Sequence, residues 1–275
     1  MQARYGIASC LNGSLTRAEL FAAVAEAGFK HVELSSDRGH LEDWVSHPEA
    51  TRRELEKNGL QALSVHTPEA GWKSNAPDEQ VRRASVDAAA SCFEPARIVG
   101  AGVIIIHPNT SDFEYKAGNL EGHRSRARRS LGELAERAGR LGLRLAAENL
   151  PARGTCRPGV RIGEVLEMIR GLGDHVGLCL DAGHANSNGL EPAAEARVAG
   201  SRLFAVHIQD NDGKGEDMHL LPGAGTTDWE RFIRALDEIG FSGGRIFEVP
   251  QVAEGHIRTL SLVADLVRRW DRLRA

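Results

Sequence analysis

The 275-residue sequence has no apolar run approaching the roughly 20 residues that a membrane span requires. Its amino terminus, MQARYGIASC, lacks the long apolar core of a secretory signal, so a cytoplasmic protein is expected. Cys10, Cys92, Cys156 and Cys179 form neither a CxxC pair nor a dense framework, which fits reduced thiols. Neither sign of charge dominates: a formal net charge of −4 leaves no overall electrostatic footprint for nucleic acid. No Gly-x-Gly-x-x-Gly follows the first strand-like run, so the fingerprint of a dinucleotide-binding sheet is missing. Low-complexity tracts and linker-like stretches are absent too. With 41% hydrophobic and 26% charged residues the composition is that of an ordinary globular protein, and residues 1–275 are expected to form a single domain.

What is present is an alternation. Short apolar runs at 5–11, 31–36, 60–66, 102–107, 143–148, 176–181, 203–210 and 245–249 read as buried strands. Between and after them, helical spacing recurs at 15–29, 48–59, 77–100, 120–141, 160–170, 191–200, 228–239 and 254–273. Ser14 or Thr16 is expected to cap the first helix, and Gly28 to end it. Strands alternating with helices imply a parallel sheet. Eight such units in a chain of this length match a closed (β/α)8 TIM barrel, of class α/β, better than an open doubly wound sheet.

The stretch VGLCLDAGHAN, 176–186, sets the chemical pattern. An apolar run stops at Asp181, the chain is expected to turn at Gly183, and His184 follows. A carboxylate and an imidazole are costly to bury unpaired at a strand end, and a divalent metal satisfies both. His66, His107, Glu148, His207 and Glu248 stand at the ends of other strands, and Asp217 and His219 follow strand seven, two residues apart and on one side of the loop. In a (β/α)8 barrel the carboxyl ends of the strands converge on one mouth. Imidazoles with carboxylates suit zinc, manganese or iron, and sulfur is absent from the set. Singly, His66 or His107 reads as a hydrogen-bonded core histidine and Asp181 as a helix cap. Together, nine such groups are better explained by metal, because buried charge is avoided unless paired.

Other residues carry open readings. Arg153, Arg157 and Lys214 lie in loops at the same mouth, either to meet a substrate phosphate or carboxylate or as solvated charges. Trp72 is read as a wedge into DNA, a stacking surface for a sugar, or packing beneath its loop. Asp210 and Asp212 are read as solvated. Arg124, Arg126, Arg128 and Arg129 are expected on an outer helix face, away from the mouth.

The motifs SVHTP (64–68), VIIIHP (103–108), AAENL (146–150), CLDAGHAN (179–186), AVHIQDND (205–212), DMHLLPGAGTTDW (217–229) and RIFEVP (245–250) resemble those of the xylose-isomerase-like barrels. That family includes sugar-phosphate isomerases and epimerases and also endonuclease IV. The motifs span nearly the whole chain in the family's order, and the segment 217–229 is the most specific.

In its epimerase branch, the resemblance implies one metal held by Glu148, Asp181, His207 and Glu248. Glu148 and Glu248 would then exchange the α-proton of a sugar or sugar phosphate through a metal-stabilised enediolate, with His184 and His219 on substrate hydroxyls. The same acid/base pair suits dehydration or β-elimination on a keto-sugar or keto-inositol. In the endonuclease IV branch all nine residues would hold three zinc ions for phosphodiester hydrolysis at abasic DNA sites. Glu148 would bridge two ions, with His66 and His107 on one side. A short acidic loop between His207 and Asp217, whose only base is Lys214, counts against that branch. A non-catalytic sugar-binding barrel gives no reason for two glutamates beside a metal. The implied cofactor is zinc, manganese, cobalt or magnesium, one to three ions per chain. The implied partners are a small sugar-like substrate and, as the family often forms dimers or tetramers, a second copy of the chain.

Overall fold

The computed structural model describes residues 3–35, 43–69 and 71–273. Eight parallel strands close on themselves: β1 (Arg4–Ala8), β2 (His31–Ser35), β3 (Gln61–His66), β4 (Val103–Ile106), β5 (Arg144–Glu148), β6 (Val176–Asp181), β7 (Leu203–Ile208) and β8 (Gly244–Phe247), with β8 paired to β1. This is the (β/α)8 barrel the alternation predicts. Around it run α1 (Arg17–Glu26), α2 (Asp43–Ser46), α3 (Pro48–Lys57), α4 (Glu79–Ala90), α5 (Phe93–Val99), α6 (Leu120–Arg140), α7 (Ile162–Ile169), α8 (Ala182–Ser187), α9 (Pro192–Ala199), α10 (Trp229–Glu238) and α11 (His256–Leu273). No helix among the described residues is long and apolar enough to cross a membrane.

Strand alternation decides what faces the barrel axis. On β4, Ile104 and Ile106 join the large core beneath the helices, whereas Val103 and Ile105 join Ala146, Cys179 and Ala205 in a separate inner cluster. Each fully buried isoleucine contributes about 2 kcal/mol by area removed from water. The parity that turns Ala146 and Cys179 inward also turns Glu148 and Asp181 inward, two residues later on β5 and β6. Strand register then levels these ends, since Glu148 is opposite Cys179, Asp181 opposite His207, and Ser35 opposite His66.

The helix signals act mostly as read, with the choice of cap settled for Thr16. Its side chain accepts from the Glu19 N–H while Glu19 accepts from the Thr16 N–H, a capping box. Pro48 opens α3 and Gly100, in the left-handed region, ends α5.

Several boundaries differ. The helical pattern at 77–100 is two helices broken at Ser91 and Cys92. Pro95 explains the break: it has no N–H for the Ser91 carbonyl and is tolerated only in the first turn of a new helix. The first strand stops at Ala8, and Ser9–Leu11 is a tight 3₁₀ turn in which Ser9 Oγ accepts from the Ser35 N–H at 2.9 Å. The extension of the second strand to Ser36 lies outside the described residues. Strand seven ends at Ile208, and His107 and Glu248 each sit one residue beyond their strands.

Candidate active site

The strand ends surround a cavity of about 370 Å³ at the mouth of the barrel. Glu148 is its hub. One carboxylate oxygen lies 3.3 Å from His66 Nε2 and 3.5 Å from His107 Nε2; the other lies 3.1 Å from His207 Nδ1. Burial alone would raise the Glu148 pKa, but His207, His107 and His66 together hold it well below the usual carboxylate range. Glu248 Oε2 reaches the same His207 Nδ1 at 3.5 Å. Asp181 is fully buried and caps α8, Oδ1 accepting from the His184 N–H at 2.6 Å. Its cap reading and its metal reading are therefore compatible, because Oδ2 has no hydrogen-bond partner among the described residues.

Three histidines are oriented alike. Nδ1 of His66 donates to the Thr67 carbonyl, that of His184 to the Asn149 carbonyl, and that of His219 to the Glu248 carbonyl, each at 2.8 Å. A backbone partner on Nδ1 fixes the ring and leaves Nε2 as the inward-facing donor atom, which is how metal-binding imidazoles are held. Burial disfavours the charged rings, but the facing carboxylates outweigh it: Glu148 and Glu69 push His66 up to about 10, Asp181 and Asp217 push His184 up to about 10, and Asp217 pushes His219 up to about 9. Asp217 bridges His184 and His219, with both contacts at 3.3 Å. The loop reaches inward because Asp210 and Leu220 exchange two backbone hydrogen bonds at 2.8 Å, with His219 in the left-handed region at φ 50°.

The donor set fits a divalent ion. Possible ligand atoms come together in Glu148 with Cys179 and His207, in Glu33 with His207 and Glu248, and in Glu148 with Asp181 and His184; the buried Asp181 Oδ2 has no hydrogen-bond partner among the described residues, and carboxylate oxygen with imidazole nitrogen is the chemistry such ions take. Compatible groups of three also form from His66, Glu69 and His107 and from His184, Asp217 and His219.

Sequence reasoning missed several members of this cluster, Cys179 on β6 beside Glu148 and His207 among them. Glu33 on β2 is buried, accepts from Ser64 Oγ at 2.5 Å and lies 3.1 Å from His207 Nε2, so it orients that ring from behind. A carboxylate inside the apolar run HVELS was the available signal. Glu69 lines the cavity 3.6 Å from His107, its spacing after His66 being unremarkable in a loop. Gln209 is buried and donates to Asp181 Oδ1 at 3.2 Å and Asp217 Oδ1 at 2.9 Å, tying strand to loop.

The loop residues divide. Trp72 lines the cavity and is itself packed, Nε1 donating to the His107 carbonyl at 2.8 Å. Arg153 and Arg157 line it as well. Lys214 lies apart from the residues lining the cavity; its ammonium is exposed and 3.8 Å from Asp212. Asp210 corrects its reading as a solvated charge. It is fully buried and accepts from the N–H groups of Asn211, Gly223, Gly225 and Thr227 and from Trp229 Nε1, so it organises the 211–227 loop. At Gly183 the chain has turned from β6 into α8, as expected. This glycine has no left-handed φ and serves close approach, because a Cβ there would overlap the Gln209 amide. Three of the α6 arginines are engaged within the chain: Arg126 donates to the Asn75 carbonyl in the loop before α4, Arg128 to the Met168 carbonyl of α7, and Arg129 pairs with Glu79 of α4.

A family model for the xylose isomerase-like TIM barrel matches residues 21–266. The chain belongs to that family. An uncharacterised protein of Methanocaldococcus jannaschii is 28% identical over 188 residues, 66% of this chain and 62% of that one. The D-psicose 3-epimerase of Enterocloster bolteae is 30% identical over 164 residues, 58% of this chain and 49% of that one. The crystal structure of a D-tagatose 3-epimerase-like protein superposes with a TM-score of 0.84 at 20% identity, over 99% of this chain and 100% of that one. At that identity the superposition speaks for the fold.

Proposed function

We propose that this family member is a divalent-metal-dependent isomerase or epimerase of a sugar or related polyol ketone. The observation that carries the reading is two carboxylates, Glu148 and Glu248, that line a cavity of about 370 Å³ and meet one imidazole nitrogen of the buried His207. A divalent ion held by Glu148, Asp181, His207 and Glu248 would polarise a substrate carbonyl and stabilise charge on the neighbouring oxygens. Glu148 and Glu248 act as the acid/base pair: one removes the proton beside the carbonyl, and the other returns a proton to the opposite face. His184 and His219 hold substrate hydroxyls, and Trp72 offers a wall for the ring or chain. The 30% identity to a D-psicose 3-epimerase supports this class of reaction.

The test is turnover by metal-loaded Glu148→Gln and Glu248→Gln on ketoses the wild type converts. Both variants are expected to lose at least about a thousandfold in kcat. Near wild-type turnover in either would remove that carboxylate from the mechanism.

The further ligand groups around His66 and His219 favour one second reading, multinuclear phosphodiester hydrolysis. About three zinc ions per chain, and incision of an abasic duplex that disappears in His66→Ala and His219→Ala, would select it. The engagement of Arg126, Arg128 and Arg129 in contacts within the chain weighs against DNA as the substrate.

A further inference from the structure

Three arginines of the described residues are buried, and they are not treated alike. Arg82 pairs with Glu79 and Glu133, and Arg245 pairs with Asp237 at 3.1 Å. Arg157 is only 7% exposed, yet no carboxylate among the described residues forms an ion pair with it. Its Nε donates to Asn109 Oδ1 at 2.7 Å and its Nη2 to the Asn109 carbonyl at 2.8 Å. Asn109 is itself pinned, donating to the Pro158 carbonyl at 2.7 Å and accepting from the Tyr115 hydroxyl at 3.1 Å.

This guanidinium is thus fixed in orientation by neutral groups and lines the cavity. Burial lowers its pKa to about 10, which leaves it charged at neutral pH. Arg153 and Glu69 line the same cavity, Arg153 with its guanidinium 3.6 Å from Asp217. A buried cation without an ion-pair partner is expensive, and the fold retains this one facing the space where a ligand enters.

We propose that the substrate carries an acid group, a carboxylate or a phosphate, received by Arg157 at the side of the cavity formed by the loops after β4 and β5. The inference rests on the sugar isomerase reading and narrows its substrate class to anionic sugars. An arginine fork matches either acid group, so the source is decided by measurement.

The experiment is calorimetric binding to the metal-loaded protein of three ligands that differ at one carbon: D-fructose, D-fructose 6-phosphate and D-fructuronate. At least one acid is expected to bind about tenfold or more tightly than fructose, and which one identifies the group. In Arg157→Gln that ratio is expected to collapse to within about twofold, with Arg157→Lys keeping part of it. Raising the salt concentration in the wild type should erode the preference for the acid, a readout that does not depend on the variants folding. Absence of any preference in the wild type, failure of both acids to bind, or a preference that survives Arg157→Gln would overturn the proposal. The readouts are affinities, so they separate from the proton-exchange reading. Turnover of ketoses without a preference for acids would sink this inference alone. A preference for acids without turnover of any ketose would sink the other.

Discussion

Asp181→Asn should move stability and metal affinity in opposite directions. Asp181 is buried, feels the charges of Glu148 and Glu248, and its Oδ2 has no hydrogen-bond partner among the described residues. Burial first, and then the repulsion of Glu148 and Glu248, raises its pKa from 3.8 to about 6. A carboxyl whose folded pKa is raised penalises the fold above that value and not below its unfolded one. The penalty is therefore present at pH 7.5 and absent by about pH 4. About two pH units correspond to about 3 kcal/mol. Asparagine keeps the acceptor that caps the His184 N–H, removes the charge and places an amide donor towards the glutamates. Part of the gain goes to burying that amide, leaving about 1–2 kcal/mol, or roughly 2–6 °C in Tm for a chain of this size. With manganese at a hundred times its Kd, the wild type should instead gain about 2.7 kcal/mol and the variant little. Thermal melting in chelator and in manganese, at pH 7.5 and pH 4.5, reads all of this. A variant that melts lower than wild type in chelator, or that keeps the full manganese shift, would refute the reasoning.

Three other outcomes are expected. Because His66 and His184 have folded pKa values of about 10 against 6.5 unfolded, their contribution is fully present below pH 6.5 and lost as pH rises through 10. Chelated protein should therefore lose on the order of a few kcal/mol between pH 7 and 10, and metal binding at pH 7.5 should release protons; calorimetry in buffers of different ionisation heat showing no release would contradict this. Gly183→Ala displaces Gln209 from Asp181 and Asp217, so urea unfolding should show a loss of about 1–3 kcal/mol with weakened metal binding; wild-type values for both would deny the contact its role. Asp210→Asn turns one of two acceptor oxygens towards N–H groups it cannot satisfy, and should cost about 2–4 kcal/mol by the same assay, a loss below about 1 kcal/mol being inconsistent with that account.

The barrel was legible because its signals are local and repeated. Apolar runs, caps such as Thr16 and stops such as Gly100 each need only a few residues of context. The convergence of His66, Glu148, Asp181 and His207 was legible for a different reason, because closed-barrel topology places strand carboxyl ends at one mouth. What escaped depends on contacts between distant segments. Glu33 acquires its role only when β2 comes behind His207, and Gln209 only when the 211–227 loop folds back on the end of β6. Asp210 looked like a loop charge because its donors lie as far on as Trp229. Arg157 and Lys214 have the same chemical type and similar loop settings, and contacts with a distant segment, those to Asn109 among them, distinguish the buried one from the exposed one.

The most direct test of proton exchange at this site is solvent deuterium incorporation. Metal-loaded protein is incubated in D2O with D-fructose, D-fructose 6-phosphate and D-fructuronate, and the hydrogens beside the carbonyl are followed by NMR. The account predicts that one of these hydrogens is replaced by deuterium in at least one ligand, and that Glu148→Gln and Glu248→Gln abolish the exchange. Ligands that bind in the cavity and keep all their carbon-bound hydrogens, or exchange that continues in both variants, would contradict it.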